Sequence, residues 1–130
     1  MSDETKKILI VDDEQIFRDS LASKFVSTGF EALTAKNGEE GLEVALENHP
    51  DLILLDILMP KVNGLEMLVN LREDQWGAEV PVIMLTNKEA DDEILSQITS
   101  QNPSFYLIKA DCSLEEIFDK VDEVLKESKA

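Results

Sequence analysis

Three aspartates, a threonine and a lysine stand directly after short apolar runs, and together they could do phosphoryl chemistry. Ile8–Val11 runs into Asp12 and Asp13, Leu52–Leu55 into Asp56, Val82–Leu85 into Thr86, and Phe105–Ile108 into Lys109. Three carboxylates brought to one place cannot all ionise cheaply without a cation. Lys109 supplies one positive charge and leaves a deficit. Hard oxygen ligands with no histidine or thiolate beside them suit Mg²⁺, with Mn²⁺ as the alternative. On this reading Asp13 and Asp56 are direct ligands and Asp12 binds directly or through water. A backbone carbonyl just past Asp56, that of Leu58, completes the protein's share. A metal beside a carboxylate, facing an ammonium and a hydroxyl, makes a site for a phosphoryl group. The Asp56 carboxylate can attack as a nucleophile and form an acyl phosphate. Thr86, Lys109 and the metal would hold the oxygens over which charge spreads. The chain has no P-loop and no glycine-rich phosphate cradle, so the donor need not be a nucleotide.

This chemistry requires the five residues to meet, and the elements around them say how. The four apolar runs are short and apolar throughout, as parallel strands buried on both faces should be. A weaker fifth run, Ala32–Ala35, lies between the first two. Between the runs the period changes to that of helices: Phe17, Leu21 and Phe25; Leu42, Ala45, Leu46 and His49; Leu65, Leu68 and Arg72. Leu114, Ile117, Phe118, Val121 and Leu125 give the cleanest amphipathic pattern, with Ser113 as N-cap and Glu116 three residues on. Asp91–Ser100, anchored only by Ile94, Leu95 and Ile98, reads as a short fourth helix. Five alternations of strand and helix predict an α/β fold, a doubly wound five-stranded parallel sheet with five helices. All strands of such a sheet point one way, so residues that follow them gather at its carboxyl edge, where open α/β sheets bind ligands. Each residue has a plainer use: Asp12 or Asp13 as a helix cap, Asp56 as a turn residue, Thr86 as a loop cap, Lys109 as an exposed strand end. Capping does not account for a lone lysine aimed at three carboxylates.

The bulk properties narrow the function further. The 130 residues carry a formal charge of −16. Such a surface is repelled by phosphate backbones and by anionic membranes, which argues against direct nucleic-acid binding, and no apolar run approaches the roughly 18–20 residues that membrane insertion needs. One cysteine, Cys112, excludes an internal disulfide framework and suits the cytoplasm. No linker or repeat interrupts the pattern, so residues 1–130 read as one domain with no output domain visible. His49, Cys112 and Trp76 read as structural, Trp76 in a loop away from the pocket.

The acidic pair Asp12-Asp13, the segment Asp56-Ile-Leu-Met-Pro60 with Gly64, Thr86, and Tyr106 three residues before Lys109 resemble the receiver domains of response regulators in two-component signalling. The similarity extends over essentially the whole chain, with chemotaxis- and sporulation-type single-domain regulators as analogues. It implies a flavodoxin-like fold and phosphotransfer to Asp56 from a histidine kinase or histidine phosphotransfer protein. It also implies a switch in which Thr86 moves toward the phosphoryl group. Tyr106 would then change rotamer on the face formed by the fourth helix, fifth strand and fifth helix, where a downstream protein target binds. A receiver is not an enzyme in the ordinary sense, because it catalyses only its own phosphorylation and dephosphorylation. The alternatives are a phosphorylation-independent pseudo-receiver and a haloacid-dehalogenase-type phosphatase. The latter would carry a second aspartate where this chain has Leu58. Three departures from the family pattern stand out: Ala110 follows Lys109 where a proline is usual, Asn87 follows Thr86 where a small residue is usual, and Asn102-Pro103-Ser104 precedes the last strand in place of Gly-Ala.

Overall fold

The computed structural model describes residues 5–57, 64–86, 96–97, 99–101 and 103–128. Five strands, β1 (Lys7–Val11), β2 (Glu31–Ala35), β3 (Leu52–Asp56), β4 (Val82–Thr86) and β5 (Phe105–Ile108), form one parallel sheet in the order β2-β1-β3-β4-β5. Helices α1 (Gln15–Ser27), α2 (Gly38–Asn48) and α3 (Gly64–Arg72), a C-terminal helix (Leu114–Ser128) and a 3₁₀ turn (Lys109–Asp111) complete the described elements. The expected five-stranded flavodoxin-like architecture is therefore present. Where the fourth helix was expected, residues 96, 97, 99 and 100 are helical, and the rest of Asp91–Ser100 lies outside the described residues.

Alternation along the strands divides the core in two. Leu9, Val11, Ile53, Leu55, Val82 and Met84 pack toward Ala45 of α2 and Met67, Leu68 and Leu71 of α3. Ile8, Ile10, Leu52, Leu54, Ile83 and Leu85 pack toward Leu21 and Phe25 of α1 and toward Ile117 and Val121 of the C-terminal helix. Covered on both faces, β3 is buried along its whole length, which is why its sequence is apolar without alternation. The weak signal at β2 has the opposite cause. This strand lies at the sheet edge and Glu31 and Thr34 are exposed, so only part of it needs apolar side chains.

Local hydrogen bonds explain where the helices begin. Ser113 Oγ accepts from the Glu116 amide at 3.1 Å while Glu116 Oε1 accepts from the Ser113 amide at 2.8 Å, a reciprocal capping box. Asn37 caps α2 by accepting from Glu40 N at 2.8 Å. His49 ends that helix in the left-handed region, at φ 48°, and its ring stacks on Trp76 at 4.3 Å between centroids. Both rings thus act structurally, tying the end of α2 to the segment before β4.

Cys112 follows the 3₁₀ turn and is half-buried. Burial, then the nearby Glu116 and Asp111 charges, push its thiol above the ordinary value of 9.0. Its folded form therefore contributes stability below that pH, and the contribution is lost as pH rises through the folded value. Iodoacetamide should alkylate Cys112 more slowly in the folded protein than in the urea-unfolded chain at any pH near 9.0. Equal rates would show that the thiol is not held neutral.

Candidate functional site

The strand order reverses between β1 and β3, because the chain goes from β1 to β2 on one side and then to β3 on the other. A crevice opens at such a switch point beyond the carboxyl ends of the strands. Asp12 immediately follows β1 and Asp56 ends β3, so the two flank it.

Asp12 is fully buried and held by its own backbone. Its amide donates to Ala35 O at 3.1 Å, extending the β1–β2 ladder by one bond. Its carbonyl accepts from Arg18 Nη1 at 2.7 Å, and its Oδ1 accepts from Glu14 N at 2.8 Å. The capping alternative fails here: Glu14, not Asp12 or Asp13, occupies the N-cap of α1. Asp13 is exposed. Asp12, Asp13 and Asp56 each offer an oxygen within 4.8 Å of the others.

Lys109 opens the 3₁₀ turn after β5 and reaches back across the sheet edge. Its Nζ donates to Asp12 Oδ2 at 2.8 Å and to Glu14 Oε1, and lies 3.7 Å from Asp56 Oδ2. It also sits 4.3 Å from the centroid of the Phe17 ring. Burial raises the Asp12 carboxyl above its ordinary 3.8, against the opposing pull of hydrogen bonds from Lys109 and the Glu14 amide. Burial works to lower the lysine, but hydrogen bonds to Asp12 and Glu14 and the Asp56 charge together hold it above 10.5. The two shifts differ in cause: burial dominates at Asp12, whereas surrounding carboxylates prevail over burial at Lys109. A hard divalent cation fits this donor set, which is all oxygen and short of positive charge.

Thr86 ends β4, where its backbone pairs with Ile108, the residue before Lys109. Tyr106 pairs with Met84 and is half-buried against the α2–α3 side of the core. Leu58, Asn87 and Asn102 lie outside the described residues. No cis peptide bond occurs among the described residues, so Lys109–Ala110 is trans.

Two contributors escaped the sequence reading. Glu14 is the third acid of the run Asp12-Asp13-Glu14, and the run itself was the available signal. Gly64 was noted only as part of a motif, and its physical role is clearance. A Cβ there would lie 2.1 Å from the Asp56 carbonyl oxygen and 2.8 Å from Ile57 Cα. Gly64 N also donates to Ile57 O at 2.9 Å, so the start of α3 is pressed against the end of the strand that carries Asp56.

Fold and site together define a flavodoxin-like α/β domain with an acidic, lysine-bridged pocket at its carboxyl edge. The family model of the response regulator receiver domain matches residues 8–122, and the chain belongs to that family, the receiver domains of two-component systems. A probable transcriptional regulator ycf27 of Pyropia yezoensis is 40% identical over 99 residues, 76% of this chain and 38% of the relative. The polar-differentiation response regulator DivK of Brucella ovis is 36% identical over 95 residues, 72% of this chain and 77% of DivK. A CheY-like receiver domain protein from Methanospirillum hungatei superposes with a TM-score of 0.89 at 27% identity, covering 97% of this chain and 98% of that one. The match to the ycf27 regulators thus spans 38% of their length.

Proposed function

We propose that this receiver domain accepts a phosphoryl group on Asp56 in a Mg²⁺-dependent reaction. The observation that carries the reading is the set of three carboxylates with oxygens within 4.8 Å, with the Lys109 ammonium 3.7 Å from Asp56. Asp12, Asp13 and Asp56 would hold Mg²⁺, with the Leu58 carbonyl. Bound there, the ion supplies positive charge to offset the carboxylates and the phosphoryl oxygens. An Asp56 carboxylate oxygen attacks phosphorus, the bond from phosphorus to the donor's imidazole nitrogen breaks, and the electron pair leaves with that nitrogen. Lys109 donates to one phosphoryl oxygen and Thr86 to another. The donor is a histidine kinase or a histidine phosphotransfer protein. An apolar groove formed by Ile16, Phe17 and Leu114 beside Glu14 suits a protein donor, and Ile16 is 84% exposed.

The phosphoryl group then biases a switch through Thr86 and Tyr106 toward the face of the fourth helix, β5 and the C-terminal helix, where a downstream protein binds. With a charge of −16, this chain does not itself contact nucleic acid. Among the described residues no helix is long and apolar enough to cross a membrane; the proposed cytoplasmic site of action rests on the single cysteine.

The test is incubation of the protein with Mg²⁺ and acetyl phosphate, followed by intact mass. One added phosphoryl group is expected, and none when the metal is chelated. Turnover of a phosphate ester without an adduct would point instead to a phosphatase. A second expectation concerns the metal alone. Mg²⁺ at about a hundred times its dissociation constant should stabilise the fold by roughly 2.7 kcal/mol. Asp13→Asn should shift that stabilisation to higher Mg²⁺, as read from thermal unfolding across a Mg²⁺ titration. Asp13 is exposed, so the variant keeps its core, and an unchanged titration would remove Asp13 from the ligand set.

A further inference from the structure

We propose that Glu14 is a positioning residue that holds Lys109 before reaction and competes with the phosphoryl group for its ammonium. The inference rests on the reading of Asp56 as phosphoacceptor and concerns how tightly that site grips the group. Lys109 Nζ pairs with Asp12 Oδ2 at 2.8 Å and with Glu14 Oε1, whereas Asp56 Oδ2 lies further off at 3.7 Å. The Phe17 ring closes another side at 4.3 Å.

An ammonium has three donors, and here two are directed at Asp12 and Glu14. The two partners differ in what it costs them to let go. The Asp12 side chain is 0% exposed, and parting it from Lys109 would strand a buried charge. The Glu14 side chain is 65% exposed and rehydrates at little cost. It makes no capping hydrogen bond to α1, and among the described residues its side-chain partner is Lys109. Glu14 is therefore the partner that yields when a phosphoryl oxygen arrives. Until then it keeps the ammonium over Phe17 and adds a negative charge at the mouth of a pocket that must admit an anion.

Trifluoroberyllate, a non-reactive phosphoryl mimic, tests this by binding affinity at saturating Mg²⁺. The proteins to compare are wild type, Glu14→Gln, Glu14→Asp and Glu47→Gln. Glu47 is exposed and adjoins Asn48, whose carbonyl accepts from Lys7 at the opposite end of β1, so it matches the charge change away from the pocket. Glu14→Gln is expected to bind about two- to fivefold more tightly, the range for loss of an exposed competing pair. Glu14→Asp should return toward wild type and Glu47→Gln should equal it. A local folding defect would weaken binding, so a gain separates the proposal from a merely structural role. Unchanged or weaker binding in Glu14→Gln, or the same gain in Glu47→Gln, would overturn it. If wild type binds no trifluoroberyllate, the phosphoacceptor reading itself fails, a different result from equal binding by both proteins.

Discussion

Asp56→Asn should fold normally and take up no phosphoryl group from acetyl phosphate. The amide keeps the size and planarity of the carboxylate but lacks the anionic oxygen that forms the acyl phosphate. Loss should be complete, because Asp12 and Asp13 are placed for other work. The buried Asp12 carboxylate is occupied by Lys109 and the Glu14 amide, while Asp13 stands exposed at the rim. Stability without metal should not fall, since one of three crowded negative charges is removed. The stabilisation given by Mg²⁺ should shrink for the same reason. Intact mass and thermal unfolding with and without Mg²⁺ check all three expectations. An adduct of undiminished yield in the variant would move the nucleophile elsewhere.

Gly64→Ala should damage both fold and site. The new methyl would sit 2.1 Å from the Asp56 carbonyl oxygen, which is backbone and cannot rotate aside. Either α3 retreats or the end of β3 bends. Retreat opens the packing of Met67, Leu68 and Leu71 on the sheet, and bending moves Asp56. Overpacking of this kind costs about 1–3 kcal/mol, occasionally more. A shift of the acceptor by about 1 Å costs on the order of a hundredfold in rate. Denaturant unfolding and the rate of adduct formation measure the two effects separately. Wild-type values in both would show that α3 is not pressed against the acceptor strand.

The same pair of residues shows where sequence reasoning stops. Asp56 and Lys109 could be found because each ends or follows an apolar run, and parallel strands carry such positions to one edge without further information. Gly64 could not be understood that way. Its need for no side chain arises from the distance between α3 and β3, which no local pattern encodes. Glu14 was missed for a related reason. Whether a carboxylate after β1 caps α1, faces solvent or reaches Lys109 depends on the turn between them, and three successive acids offered no way to choose. Edge position weakened the signal of β2 to the short run Ala32–Ala35, because exposed Glu31 and Thr34 break the apolar pattern that announces β1, β3 and β4. The Ser113 and Glu116 capping box was legible because its bonds are local, three residues apart. The peptide bond after Lys109, where Ala110 stands in place of the family's usual proline, is trans, and no local sequence pattern decides that.

The most direct measurement locates the modified carboxylate. Borohydride reduces an aspartyl phosphate to homoserine and releases phosphate, leaving a stable mark readable by peptide mass. After Mg²⁺-dependent phosphorylation, homoserine is expected at position 56 and nowhere else. Homoserine at position 12 or 13, or an adduct that yields none, would contradict the assignment of Asp56 as phosphoacceptor.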